Sequence, residues 1–552
     1  MPLTTALRDA TYHWLADDID PESQTELQTV LAKAMTGNQD AIDDLTDRMS
    51  GPLVFGTAGL RGPVRSGPNG MNRAVVTRTS AGVAQWLLAH GHGGGIVVIG
   101  RDARHGSEAF HADAAGVFAA HGFDVRVLPE PLPTPVLAFA VRKLGAVAGV
   151  QITASHNPPA DNGYKLYDGT GGQIVPPTDG EIEAAIRGIP GAIQVERATS
   201  WRGVDESLLE SYFERITTIP RGTNRTLRIA LTPMHGVGGA VAVEALRRAG
   251  FTDVRVVREQ AAPDADFPSV PFPNPEEPGA TDLLLALAEE SNADLAIALD
   301  PDADRCALGV RDANGWRMLR GDETGALLGR HVLSTLDQTA HPDPLVATTI
   351  VSSSLLGSIA AAYGSRYAET LTGFKWLVRA GDGHATGLVF AYEEALGVCV
   401  DPESVRDKDG ISAAVLAADL TASSKAGGGT LLDILDDLAV THGLHLTEQI
   451  ALRVAELSRI GTIMAALRAN PPTELSGQPV TGEDLLPAAD VFRLRGDGLR
   501  VIIRPSGTEP KIKAYLEIVT PVGSPEELPA IREKATARLA ELHTEIAALL
   551  AD

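Results

Sequence analysis

The chain has 552 residues, with 47 lysines and arginines against 71 aspartates and glutamates, a formal net charge of −24. That balance argues against a nucleic-acid or anionic-membrane partner, and the length excludes a single core, so three to five domains are expected. With 44% hydrophobic and 21% charged residues and a mean hydropathy near zero, wholesale disorder is excluded as well. Two cysteines, Cys306 and Cys399, make neither a disulfide framework nor a zinc spacing. Residues 1–20 hold Asp17, Asp18 and Asp20 and no apolar core of signal length. No run approaches a membrane span, and a cytoplasmic protein is expected.

Residues 1–50 read as helical, with Ser23 and Glu26 in a capping-box pattern ahead of Leu27, Val30, Leu31, Ala34 and Met35. A strand–helix–strand unit then appears three times. Its first copy runs through 96–100, 107–121 and 124–128, and its second through 227–231, 239–249 and 254–257. The third runs through 345–350, 355–363 and 367–371. Copies spaced by more than a hundred residues suggest duplicated α/β domains, each bringing a loop to a shared cleft. Six prolines crowd residues 258–280, but Phe267 and Phe272 lie among them, so an ordered loop packed on the second domain is expected. After about residue 445, strand-like runs at 491–494, 499–504 and 511–519 precede a helix expected to start at Ser524-Pro525-Glu526-Glu527. This tail reads as a small α+β domain.

Six stretches carry chemistry. The apolar run 146–152 ends in Thr153-Ala154-Ser155-His156-Asn157-Pro158, followed by Asn162-Gly163-Tyr164-Lys165. Side chains at such a strand end sit where open α/β sheets place their ligands, although a self-capping turn would look similar. Upstream, Phe55-Gly56-Thr57-Ala58-Gly59-Leu60-Arg61-Gly62 lets backbone approach a ligand, with Arg61 as anion partner. The strand 295–299 runs into Asp300-Pro301-Asp302-Ala303-Asp304-Arg305. Three carboxylates after a buried-looking strand call for a hard cation, Mg²⁺ in particular. Arg305 and Arg311 stand where an EF-hand needs glycine and glutamate, which excludes that loop.

Thr372-Gly373-Phe374-Lys375-Trp376 sets a cation between aromatics, and Tyr392-Glu393-Glu394 ends a strand with paired carboxylates. Those carboxylates suit sugar hydroxyls, or else the first turn of a helix. Arg504-Pro505-Ser506-Gly507-Thr508-Glu509-Pro510-Lys511-Ile512-Lys513 joins hydroxyls, a glycine and flanking cations into an anion nest. A hydroxyl nucleophile, a metal site and scattered cations together favour phosphoryl transfer through a phosphoserine. A serine hydrolase lacks its G-x-S-x-G elbow here, and His156, next to Ser155, should point away from it. A passive sugar-phosphate binder would not need the metal site.

In these motifs, taken in order, the chain resembles the α-D-phosphohexomutase superfamily of phosphoglucomutases and phosphomannomutases. The resemblance implies three related α/β/α domains with mixed sheets and a C-terminal α+β domain around a central cleft. The expected bounds are 1–204, 205–322, 323–440 and 441–552. It implies a phosphorylated Ser155, with Mg²⁺ held by Asp300, Asp302, Asp304 and that phosphoryl group. Lys165 and His156 match acid/base positions, and Arg61 and Arg305 match charge-stabilising ones. Gly373, Lys375 and Glu393 match substrate contacts, and Arg504, Ser506, Gly507, Thr508 and Lys513 the phosphate clamp. The implied reaction interconverts hexose 1-phosphate and hexose 6-phosphate through a sugar bisphosphate such as glucose 1,6-bisphosphate. Tyr392 and Ala395 stand where many members have glycine and serine, a pattern similar to the branch that contains phosphopentomutases. A pentose phosphate is therefore the alternative substrate.

Overall fold

Apolar runs closed by turn residues form the strands of this chain, and among the described residues four sheets have four strands or more. A computed structural model describes residues 3–56, 59–381, 386–454, 457–505 and 511–551. The chain divides into two units, residues 1–318 with 397–419, and residues 319–396 with 420–552.

The first unit opens with helices Thr5–Asp17, Pro21–Met35 and Gln39–Arg48, which bury Trp14, Leu27, Leu31 and Leu45 in a core of their own. The second helix starts earlier than its capping-box pattern suggests. Asp20 caps it, accepting from the Glu22 amide at 3.1 Å, because Pro21 has no N–H to lose and a φ already suited to the first turn. Ser23 therefore lies inside the helix, donating to Asp18 Oδ2 at 2.5 Å, and Glu26 binds Arg48 at 2.7 Å instead of closing a box.

Two sheets follow in this unit. The first runs in the order 60–63, 161–168, 148–152, 96–101, 124–127 and 202–203, and the second in the order 315–318, 306–312, 295–299, 228–232 and 253–256. Ala148–Ile152 and Leu295–Leu299 hold the same place in the two sheets. Each is parallel to one neighbour and antiparallel to the other, and each is buried along its whole length. Burial on both faces explains the unbroken apolar run of the second, while the one polar residue of the first, Gln151, is buried and donates to the Leu132 carbonyl at 2.9 Å. The proline-rich segment is ordered, as expected: Phe267 is 3% exposed and Phe272 half-buried.

In the second unit, Leu345–Thr349 pairs in parallel with Arg366–Thr370 and Leu388–Glu393. The helix beside it, Gly321–Thr335, begins where Glu323 accepts from the Arg320 amide at 2.8 Å. The C-terminal sheet is antiparallel, in the order 444–453, 511–520, 499–505, 492–496 and 481–484, and shares one core with helices Leu457–Ala469 and Leu528–Ala551. The last helix starts later than expected, because residues 524–527 close a turn of their own, with the Glu527 amide on the Ser524 carbonyl at 3.2 Å. Among the described residues no helix is long and apolar enough to cross a membrane.

A buried polar network joins the two sheets of this unit. Asp322 accepts from the Ser353 amide at 2.7 Å and from the Tyr392 hydroxyl at 3.0 Å, and Glu517 accepts from the Ser353 hydroxyl at 2.7 Å and from Arg500 at 2.8 Å. Burial pushes the Asp322 carboxyl up to about 6, against the Ser353 amide and the Thr447 side chain that bond it. Between about pH 4 and pH 6 the unfolded chain sheds this proton while the folded chain keeps it, so stability falls as pH rises through that window. Asp322→Asn should remove a deficit of about 3 kcal/mol at pH 8 and change little at pH 3. Thermal midpoints at the two pH values check this, and equal shifts at both would contradict it.

Candidate active site

Ser155 stands just past the end of the buried strand Ala148–Ile152, in a turn that Thr153 closes by accepting from the Ser155 amide at 2.9 Å. Its φ of 54° puts a non-glycine residue in the left-handed region, a conformation that costs on the order of 1 kcal/mol and that the surroundings must hold. The turn overrides strand alternation, so His156 does not point away: its Nδ1 lies 3.3 Å from Ser155 Oγ. The shorter contact of that hydroxyl is to Asp300 Oδ2, at 2.8 Å. Serine and histidine are thus neighbours, but the serine proton is directed to a carboxylate.

Asp300, Asp302 and Asp304 leave the matching strand end of the second sheet, also through a left-handed residue, Ala303 at φ 54°. All three are fully buried, and a ligand oxygen from each lies within 4.8 Å of the others. Lys165, on the strand Asp161–Asp168 beside the Ser155 strand, reaches Asp302 Oδ2 at 2.6 Å and Asp304 Oδ2 at 2.7 Å. Thr134 donates to that same Asp302 oxygen, and Lys408 reaches Asp304 at 3.2 Å. The Arg305 amide bonds Asp300 Oδ1 at 3.0 Å. Arg61 donates to the Asn157 side chain at 3.2 Å, and Arg305 pairs with Glu276 at 3.4 Å.

The charges shape one another. Burial, then the like charges of Asp302 and Asp304, hold the Asp300 carboxyl well above the usual carboxylate range. Burial pushes Asp304 the same way, but Lys165, Lys408 and Arg305 outweigh it and keep this group ionised. Burial would also lower Lys165, yet Asp302 and Asp304 raise it, so it stays an ammonium. His156 is held well below its ordinary value by burial and by the Arg305 and Arg61 cations, and is a neutral imidazole.

The donor set fits a hard divalent cation. Three oxygens converge without sulfur or imidazole, and Asp302 Oδ1 and Asp304 Oδ1 are buried with no hydrogen-bond partner. Buried carboxylate oxygens left this way cost free energy that a cation would offset.

The second unit holds the other expected site residues. Glu393 ends the strand Leu388–Glu393 and is 8% exposed; no helix follows it, so the first-turn reading of the paired carboxylates is excluded. Its neighbour Glu394 accepts from the Thr349 and Ser352 hydroxyls at 3.1 Å each. Gly373, at φ 117°, leads into the short helix Phe374–Leu377, which presents Lys375 half-buried. Arg504 and Lys513 face each other across the antiparallel pair 499–505 and 511–520, next to the Pro505–Ile512 pair. Ser506, Gly507 and Thr508 lie outside the described residues, as do Thr57 and Ala58 of the Arg61 loop.

Sequence reasoning missed Thr134, Lys408 and Arg104. Arg104 belongs to Arg101-Asp102-Ala103-Arg104, a charged run closing an apolar strand just as residues 300–305 do, and that parallel was available. Lys408 sits in Arg406-Asp407-Lys408-Asp409, ahead of an apolar helix. Asp409 accepts from the Ile411 and Ser412 amides at 3.0 Å, and Asp407 accepts from the Tyr167 hydroxyl at 2.7 Å, which fixes the lysine between them. Thr134 carried no signal of its own.

Comparison with known proteins gives one family throughout. Sequence models of the phosphoglucomutase/phosphomannomutase α/β/α domains I, II and III match residues 52–190, 210–315 and 320–440, and that of the C-terminal domain matches 450–522. The "Probable phosphomannomutase" of Haemophilus influenzae is 43% identical over 81% of this chain and 93% of its own length. The "Probable phosphoribomutase" of Schizosaccharomyces pombe is 32% identical over 92% and 93%. A phosphoglucomutase of Staphylococcus aureus is 34% identical over 85% and 90%. Among solved structures, a phosphoglucomutase/phosphomannomutase family protein of Burkholderia thailandensis shares the fold, with a TM-score of 0.67, 21% identity and coverage of 87% of this chain and 96% of that one.

Asp302→Asn removes one charge from the cluster. It should weaken Mg²⁺ binding by no less than about 10- to 100-fold, the loss typical of second-layer partners alone. Titration calorimetry checks this, and an unchanged affinity would count against the cluster as a metal site.

Proposed function

The chain belongs to the phosphoglucomutase/phosphomannomutase family, and from that premise we propose that it interconverts hexose 1-phosphate and hexose 6-phosphate with Ser155 as phosphoryl carrier. The observation that carries this reading is the Ser155 hydroxyl, 2.8 Å from Asp300 and backed by the three-carboxylate cluster.

In this scheme phospho-Ser155 gives its phosphoryl group to the free hydroxyl of the sugar phosphate. The Ser155 O–P bond breaks as the sugar O–P bond forms. The resulting bisphosphate, such as glucose 1,6-bisphosphate, then returns its other phosphoryl group to Ser155. Asp300, Asp302 and Asp304, with the phosphoryl group of Ser155, would hold Mg²⁺, which supplies charge neutralisation for the transferring group. His156, neutral and 3.3 Å from the serine oxygen, is suited to take the proton of the attacking hydroxyl. Lys165, kept as an ammonium, is suited to donate and to offset developing negative charge. Arg61 and Arg305 add cationic field from the two loops beside the carrier.

In the second unit, Glu393, Gly373 and Lys375 bind the sugar phosphate in this reading, and Arg504, Ser506, Gly507, Thr508 and Lys513 grip its non-reacting phosphate. The expected domain bounds, 1–204, 205–322, 323–440 and 441–552, and a cytoplasmic location belong to the same reading.

A second substrate reading has its own support. Tyr392 and Ala395 leave the Glu393 loop without a serine hydroxyl, and a relative of matching length carries the name phosphoribomutase. Rates on glucose 1-phosphate, mannose 1-phosphate, ribose 1-phosphate and deoxyribose 1-phosphate separate the two, and a pentose preference would replace the hexose assignment. Ser155→Ala should lose at least about 10⁴-fold in turnover while keeping its fold, and the native protein should carry one extra phosphate by intact mass. Full activity in the variant would overturn the mechanism.

A further inference from the structure

One buried guanidinium outside the reacting groups has an arrangement that the scheme above leaves unused. Arg104 Nη2 donates to the carbonyls of Ser155, at 2.7 Å, and Asn157, at 2.6 Å. Its Nη1 donates to those of Pro158, at 2.8 Å, and Asp161, at 3.1 Å. The four N–H bonds of the two terminal nitrogens thus meet four carbonyls of a single loop. A left-handed turn followed by Asn-Pro forms no regular ladder; the Pro158 carbonyl also takes the Asp161 amide, at 3.0 Å, and Arg104 serves the carbonyls of Ser155, Asn157 and Asp161 from outside the turn. A planar fork with fixed donor directions satisfies four of them at once, which a lysine with three donors cannot.

Arg104 is itself buried and flanked by charge and by a ring. Its side chain is 1% exposed, and its Nε lies 3.4 Å from Asp102 Oδ2. Asp102 is bound in turn by the Arg104 amide at 3.0 Å and the Ser107 hydroxyl at 2.6 Å, while its own amide donates to the Ile152 carbonyl at 3.0 Å. Phe267, from the proline-rich segment, covers the guanidinium with its ring centroid 4.9 Å away. The neighbouring Asp266 meets His105 at 2.7 Å, which ties that segment to the Arg104 loop.

We propose that Arg104, capped by Phe267, is the positioning residue of the phosphoryl carrier, holding Ser155 in its left-handed turn through the carbonyls of its own loop. The inference rests on the reading of Ser155 as carrier. Arg104 reaches only the backbone of the loop, so its effect falls on the placement of Ser155 and not on sugar binding. A carrier that must give a phosphoryl group to one hydroxyl and take it back from another loses rate steeply with displacement.

The test compares Arg104→Ala, Arg104→Lys and Phe267→Leu with the native protein and with Ser155→Ala. Arg104→Ala should lose about 100-fold in kcat, the cost of a misplacement near 1 Å, with KM for the sugar phosphate within about twofold. Transfer from phospho-Ser155 in a single turnover, followed by intact mass, should slow equally. Added guanidinium ion should restore part of the turnover and methylammonium none, a difference that a merely structural defect would not produce. Arg104→Lys should remain impaired, and Phe267→Leu should lose about two- to fivefold in kcat at unchanged KM.

If Arg104→Ala does not fold, the lysine and Phe267 variants decide. Native kcat in Arg104→Lys and Phe267→Leu, beside an inactive Ser155→Ala, overturns the positioning role alone. Loss expressed wholly in KM does the same. Turnover retained in Ser155→Ala overturns the carrier reading, and this inference with it.

Discussion

Three carboxylates and one ammonium, none of them reached by solvent, meet at the ends of two strands, and the site is built around keeping them there. Taking such ions out of water costs several kcal/mol each, and their mutual attraction offsets it only in good geometry with the remaining lone pairs bonded. Lys165 spans Asp302 and Asp304, Lys408 adds a second cation, and Thr134 and the Arg305 amide take further oxygens. Two oxygens stay unbonded, and they lie where a metal would be held. The cluster is therefore a poor stabiliser of the fold and a good binding site. The strand that leads into the three aspartates, Leu295–Leu299, is uniformly apolar and buried, and Lys165 and Lys408 offset the like-charge repulsion that such a dry surrounding strengthens.

The same logic explains the two strained turns. Ser155 and Ala303 both occupy the left-handed region at φ 54°, each a few residues past a fully buried strand. Without these turns the side chains that follow would alternate across the sheet. With them, Ser155 meets Asp300, and Asp302 and Asp304 meet Lys165. The first two domains thus use one device twice, consistent with a duplicated strand–helix–strand unit.

That duplication, the strand ends and the carboxylate triplet were legible in the residues, because apolar period and charge at a strand end are local signals. The contacts that complete the site were not. Lys408 acts on Asp304 from a hundred residues away, and Thr134 is one threonine among many. His156 was misread because alternation assumes an extended backbone, and one left-handed residue cancels it. At the helix starts, Ser23 with Glu26 and Ser524 with Glu527 both match capping patterns. Asp20 ahead of Pro21 displaced the first, and a separate turn absorbed the second. Propensity names several candidate caps, and packing chooses among them.

Lys408 belongs to residues 397–419, which rejoin the first unit after the chain has built the greater part of a third sheet in the other. On a ribosome it emerges about 90 residues after Met318, on the order of ten seconds later at ordinary synthesis rates. Through that interval the nascent first half carries its three aspartates with Lys165 and Arg305, but without this second lysine, to balance them. Its cluster of acids is thus completed by a residue from a later part of the chain, so the site needs that return segment as well as the sheets that carry it.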